Sequence, residues 1–336
     1  KNKENFLISI FILNIFLPII FFLILKKNYK KQNLYLLACF SSIIYLSPYY
    51  RTSSYWAGME NYGLLMMVIS YYFYSTYLKE VNNKKKYILI FSIFSCLCVY
   101  FDQKLALIPL IYSYLFLKHE NNKINISFYI IINFILSLPV FSLIYYWGSL
   151  ISPHDTISRN FGTLYLEQIG YFFSITSFYL IPYIFIFHKK IFQFVMSNKK
   201  YFMILFFLFS VYLILIFLFP TNYFQWDHLG KGWAHKFSRL IFEDKLSQKT
   251  LLYFIFFISI FSFFAVAQKR ILLIFFVIFF IPISLLILPF FQEYLDPLVF
   301  IFLSLFFYNN DELNNRLVKS HYLFSLTFLI FANLYY

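Results

Sequence analysis

Charge is scarce in this chain, and negative charge is scarcer still. Only 12% of the 336 residues are charged, with 14 acidic residues against 28 basic ones. A water-soluble domain carries about 25% charged residues. With 61% hydrophobic residues and a mean hydropathy of +0.71, a soluble core is excluded. Cysteine is nearly absent, and Cys39, Cys96 and Cys98 all fall inside apolar segments. That rules out a disulfide framework and leaves Cys96 and Cys98 without partners for a zinc site, so all three are expected to pack as small apolar residues. Glycine numbers seven, few for the close-packed, interrupted helices of a transporter. Also missing are a Walker loop, a Gly-rich dinucleotide fingerprint, a Gly-x-Ser-x-Gly elbow and a His-Glu-x-x-His pair. No cofactor is therefore expected, and activated groups would have to arrive through lipid.

What the chain does contain is a succession of long apolar stretches. A straight helical crossing needs about 20 apolar residues. Twelve spans are read, near 6–25, 34–47, 57–78, 87–100, 105–117, 125–147, 164–187, 201–219, 250–267, 271–289, 297–308 and 321–335. The pairs 34–47/57–78 and 87–100/105–117 include short members, expected to tilt, re-enter or extend into their loops. The fold class is thus an all-α polytopic helical bundle forming one membrane domain over 1–336.

The connecting loops alternate in basic content. Six of them (26–31, 79–86, 118–123, 189–200, 269–270 and 316–319) hold 18 of the 28 Lys and Arg residues. By the positive-inside rule these lie in the cytoplasm. The net charge of +14 is then an orientation signal and a contact with anionic lipid heads, and nucleic acid is not an expected partner. The N-terminus comes out on the non-cytoplasmic face. Because the chain opens Lys1-Asn2-Lys3 with no signal peptide, an outward-going helix and its following loop are expected to precede residue 1 in the parent protein. The abundance of Phe and Tyr fits an AT-rich genome and carries no mechanism by itself.

The outer loops hold the chemistry-bearing residues. Ser47-Pro48-Tyr49-Tyr50-Arg51-Thr52-Ser53-Ser54-Tyr55-Trp56 leads into a helix carrying Glu60. Arginine among hydroxyl and aromatic groups suits a phosphate or a sugar, or equally an interfacial belt. Asp102-Gln103-Lys104 interrupts an apolar stretch of about 30 residues, a costly placement unless the groups pair, face a wet cavity, or simply turn at the surface. Trp147 opens a loop with His154, Asp155 and Arg159, in which the His-Asp pair can supply a general base. The longest outer loop, 220–249, contains Asp227, His228, Lys231, His235 and Lys236 with two tryptophans. Its spacing matches no zinc motif, so no metal is expected. It fits either an anionic lipid-linked substrate or an amphipathic helix lying on the membrane.

Ser47–Leu65, the Asp102-Gln103-Lys104 turn, and Tyr146–Pro153 through Glu167-Gln168-Ile169-Gly170-Tyr171 resemble the integral-membrane GT-C glycosyltransferases. Within that superfamily their order is similar to the dolichyl-phosphoglucose alpha-1,2-glucosyltransferase group and its bacterial relatives. There an Arg-Gln pair precedes an outer-face helix, and a Trp-Gly-Gly-type loop follows two helices later. The resemblance covers residues 45–185. Where the family carries Arg-Gln, only Gln103 carries over directly, with Lys104 supplying the displaced positive charge. The family's acidic motif lies in the first outer loop, which this chain lacks.

The resemblance implies inverting transfer of a sugar from a polyprenyl-phosphate donor to a lipid-linked or surface glycan acceptor. The site would face outward from a bilayer, by expectation the periplasm or exterior of a bacterial inner membrane. Asp102, Asp155 and Glu60 are the candidate catalytic carboxylates. Arg51, Lys104 and Arg159 are candidates for phosphate, and Gln103, His154, Trp147, His228, Lys231 and Lys236 complete the candidate substrate-binding set. Two alternatives stay open: an O-antigen or capsule polymerase, and a lipid-linked oligosaccharide flippase or other transporter.

Overall fold

A computed structural model describes residues 2–56, 58–80, 82–148, 165–218, 232–267, 277, 281, 292, 295–308 and 312–335. All regular structure among them is helical. The chain divides into two compact units, one of Lys1–Pro153 with Tyr308–Tyr336 and one of His154–Phe307.

The first unit contains α1 (Asn2–Asn28), α2 (Leu34–Ser42), α3 (Pro48–Trp56), α4 (Met59–Tyr77), α5 (Lys84–Phe101), α6 (Leu107–His119), α7 (Lys123–Trp147) and α13 (Asn315–Tyr335). Polar side chains set several of the breaks. Asn33 and Asn122 cap α2 and α7 by accepting from Tyr35 N–H and Ile124 N–H at 2.8 and 2.9 Å. Asp102 ends α5 in an extended conformation and caps the 3₁₀ turn Gln103–Ala106. Gly148 closes α7 at φ 65°, a left-handed geometry that favours glycine.

Helices α4 and α5 pack most closely. A Cβ at Gly63 would lie 2.7 Å from Leu105 Cδ1 and 3.2 Å from the Cys98 carbonyl, so the side-chain-free position permits their approach. Between lipid-embedded helices, such contact rather than water exclusion drives association. The core beside them is aromatic: Tyr74, Tyr77, Phe91, Phe116 and Tyr129 are all buried, and the Phe116 and Tyr129 rings are 4.4 Å apart. Cys98 is buried there, Cys39 and Cys96 are partly buried, and all three are free thiols, as their apolar context implied.

Three of the lysine-rich loops meet at one end of this unit. Lys27 Nζ donates to Thr76 Oγ1 at 2.5 Å, and Lys79 Nζ to the Lys27 carbonyl at 2.8 Å. Lys84 Nζ lies 3.5 Å from Glu120. Three of the six basic loops therefore share one end of this unit.

The second unit contains α8 (Glu167–Ser197), α9 (Lys199–Leu218), α10 (Trp233–Ile241), α11 (Lys245–Val266) and α12 (Leu298–Phe302), which a π-helical turn continues over Leu303–Phe307. Asp244 caps α11 by accepting from Ser247 N–H at 2.7 Å. That hydrogen bond holds its carboxyl below the usual range. In α8, Gly170 lies directly against Phe256 of α11, and its N–H donates to Tyr212 Oη of α9 at 3.0 Å.

Among the described residues, five helices are long and apolar enough to cross a bilayer: α1, α7, α8, α9 and α11. Several expected boundaries change. Residues 48–56, expected as loop, form α3. The crossings expected at 34–47 and 297–308 are apolar but short, at Leu34–Leu46 and Leu298–Phe307. Each would extend no more than about 20 Å as a straight helix, against a core of about 30 Å. The lysine-bearing segment 189–200 is almost wholly helical: α8 passes through a non-helical Phe187 (φ −106°, ψ 17°) and runs on to Ser197. Lysine is nearly as good a helix former as leucine, so charge ends a crossing without ending the helix. The expected span 271–289 lies outside the described residues except for positions 277 and 281.

Candidate functional site

The ionic cluster of the first unit is built where α5 stops. Breaking the helix at Asp102 turns its carboxylate back over the following 3₁₀ turn, where it accepts from Lys104 N–H at 3.1 Å. The same turn brings Lys104 Nζ to 3.4 Å from Asp102 Oδ2 and 3.8 Å from Glu60 Oε1. Glu60 sits in the first turn of the 19-residue α4. Gly63, one turn further along α4, makes room: a Cβ there would be 3.0 Å from Asp102 Cβ.

Side-chain exposure grades the three groups, at 11% for Asp102, 16% for Lys104 and 36% for Glu60. Burial pushes the Asp102 carboxyl above its usual value, opposed by the Lys104 cation and hydrogen bonding, and assisted by the Glu60 charge. The cluster thus presents one shielded carboxylate, one cation and one carboxylate open to solvent. The open one is placed to take a proton, and the cation to meet an anionic leaving group.

Helix α3 covers the neighbouring surface. It is held by a polar network that the sequence did not single out. Tyr50 Oη donates to the Asn14 carbonyl, and Asn61 Nδ2 donates to the Tyr50 carbonyl and Ser54 Oγ, each at 3.0 Å. On α3, Ser53 abuts Gly58, and a Cβ at Gly58 would meet both Ser53 and Glu60 Oε2, at 2.9 and 2.7 Å. Arg51 is exposed on the same helix and joins no ion pair among the described residues. Of the expected set, then, Glu60, Asp102 and Lys104 come together. Arg51 shares the neighbouring helix, and Gln103 is exposed within the same turn.

The other expected residues lie on other elements or outside the described residues. Trp147 is half-buried at the end of α7, and Lys236 is half-buried on α10 of the second unit. His154, Asp155, Arg159, His228 and Lys231 lie outside the described residues. No group of three His, Cys, Asp or Glu residues that could hold a metal occurs among the described ones.

Three buried carboxylates, Glu120, Glu167 and Asp296, were given no role in the sequence. Glu120 stands at the lysine-rich end, in a loop read only for its basic residues. It is 6% exposed and accepts from Tyr77 Oη, from Asn125 Nδ2 at 3.0 Å and from Asn122 N–H at 2.8 Å. With Lys84 beside it, this carboxylate ties α4, α5, α6 and α7 together. Glu167, named only within the segment that carries the resemblance, is 2% exposed and accepts from Tyr253 Oη at 2.6 Å. The available signal was the rarity of acids in an apolar chain.

Asp102 also fixes a pH dependence. A carboxyl whose folded value is raised binds its proton more tightly in the folded state. Its stabilising contribution is complete below the unfolded value of about 4 and is lost as pH rises through the folded one. Wild type should therefore lose thermal stability relative to Asp102→Asn as pH rises from about 4 towards neutrality. Parallel melting curves at every pH would contradict the burial of this group.

No family model, curated protein or solved structure matches this chain.

Proposed function

We propose that this chain is a multi-pass membrane glycosyltransferase that moves a sugar from a polyprenyl-phosphate donor to a lipid-linked or surface glycan. The observation that carries the reading is Lys104 held between Asp102 and the more exposed Glu60 at an interhelical turn. A second support is that Lys27, Lys79 and Lys84 gather at a different set of helix ends in the same unit. The positive-inside rule favours a cytoplasmic position for the lysine-rich end, and this supports a non-cytoplasmic face for the Glu60–Lys104–Asp102 cluster.

In the transfer, an acceptor hydroxyl oxygen bonds to the anomeric carbon as the carbon–oxygen bond to the donor phosphate breaks. The acceptor proton passes to a carboxylate, for which Glu60 has the better access. Lys104 stabilises the departing lipid phosphate, and Asp102 positions Lys104. Arg51 adds positive charge for the phosphate, and Gln103 and Trp147 are further contacts for the sugar or phosphate. The long apolar helices cross the bilayer and the shorter apolar ones pack beside them, in a GT-C-like arrangement facing the periplasm or exterior.

Glu60→Gln should reduce transfer by at least about 100-fold, the scale of a lost general base, while leaving the amount of protein in the membrane unchanged. Radiolabelled transfer on membranes of equal protein content checks this. Wild-type rates in Glu60→Gln would remove the proton-accepting role from this residue.

A further inference from the structure

Helix α10 is inside out by the standard of a water-soluble protein. Ala234, His235 and Ser238 are at most 3% exposed, whereas Phe237, Leu240 and Ile241 are 45%, 74% and 49% exposed. The apolar edge runs on through Phe242 and Leu246, the latter 68% exposed. It continues onto α11, where Phe254 and Ile258 are also exposed. That face of α11 belongs to a 22-residue helix apolar enough to span a bilayer, so lipid is its natural neighbour.

The nine-residue α10 is only about 13 Å long and cannot cross a core of about 30 Å. Residues Phe242–Asp244 join it to the first turn of α11, which fixes it at the depth where that span ends. Cations interleave with the apolar residues: Lys236, Arg239, Lys245 and Lys249 occupy the same stretch, against only Glu243 and Asp244. A short helix with one apolar edge, set at a span end among basic residues, has the features of a helix lying in the headgroup layer.

We propose that α10 and its corner with α11 form an interfacial lipid-binding surface. It seats Phe237, Leu240, Ile241 and Leu246 at the boundary between headgroups and acyl chains, and draws anionic phospholipid through Arg239 and Lys245. This surface is independent of the transferase reading and would serve any membrane activity of the chain.

A nitroxide placed by Leu240→Cys, with Cys39→Ser, Cys96→Ser and Cys98→Ala, tests the proposal in two kinds of vesicle. One is phosphatidylcholine alone, and the other contains phosphatidylglycerol. The label should be relaxed by oxygen and shielded from a water-soluble nickel chelate, with more shielding when phosphatidylglycerol is present. Lys245→Gln should raise the phosphatidylglycerol content needed for half-maximal shielding about fivefold. A label as open to the nickel chelate as one introduced by Glu243→Cys would overturn the proposal. So would shielding that disappears when the protein is diluted in excess lipid, which would identify a second copy as the occupant. Should the cysteine replacements not fold, hydrogen exchange of residues 236–246 in the unaltered protein reads the same contact. Slower exchange in phosphatidylglycerol nanodiscs is expected, and equal exchange in both lipids would overturn the anionic preference.

Discussion

Lys104→Met is expected to lower stability by about 2 kcal/mol and to abolish transfer. Removing one partner of a well-buried ion pair costs about 3–5 kcal/mol, because the remaining charge is left uncompensated. Here the figure is discounted, since Glu60 is 36% exposed and water screens its part of the interaction. Asp102, at 11% exposure, bears most of the loss. The double change Lys104→Met with Asp102→Asn separates structure from chemistry. Neutralising the stranded carboxylate should restore most of the melting temperature, while transfer stays lost because Lys104 no longer stabilises the departing phosphate. Thermal unfolding in detergent and transfer on membranes read the two effects separately. Recovery of both in the double variant would make the cluster a purely structural tie.

Gly170→Ala has the second large expected effect, on the second unit. A Cβ at this position would lie 2.1 Å from Phe256 Cδ2 and 2.4 Å from Cγ. The obstacle is a rigid ring, fully buried and held edge-on against Tyr171 at 4.9 Å. Helix α8 and helix α11 must therefore separate or the ring must turn against its neighbours. Forcing extra volume into a packed core costs about 1–3 kcal/mol, while replacing glycine in a helix interior returns about 1 kcal/mol. Steric cost wins, with a net loss of about 2 kcal/mol expected after an overlap this deep. Gly170→Ala combined with Phe256→Leu should recover part of it. A melting temperature equal to or above wild type in the single variant would show that α8 and α11 are not in such close contact.

Much of the architecture was legible before any coordinates. Apolar runs bounded by lysine clusters announced helices, and α4, α7 and α9 begin and end close to their expected limits. The Asp102-Gln103-Lys104 turn stood out because three polar groups in an apolar stretch must be paired or wet, and Asp102 and Lys104 are indeed paired. Glu60 was identified as a candidate, but its pairing with Lys104 was not readable. It depends on α4 and α5 lying side by side, which Gly63 permits and no local pattern encodes.

Helix α3 was missed because its hydroxyl and aromatic residues read as loop. The signal was nevertheless present in Ser47-Pro48, a capping serine ahead of a proline at the first helical position. Ser47 Oγ does accept from Tyr50 N–H at 3.0 Å. Glu120 was missed for a different reason: its partners Tyr77 and Lys84 are distant in sequence and meet it only when the helices pack. In the 189–200 segment, lysines marked the end of the apolar run correctly and the end of the helix wrongly.

The most direct measurement is radiolabelled hexose transfer from a polyprenyl-phosphate donor to a glycan-lipid acceptor, on membranes containing the parent protein or its Asp102→Asn variant. Single-residue transfer by wild type, strongly reduced in Asp102→Asn at equal protein level, is the predicted result. No transfer from the monophosphate donor, with chain growth from a pyrophosphate-linked oligosaccharide instead, would contradict the transferase reading and make the protein a polymerase.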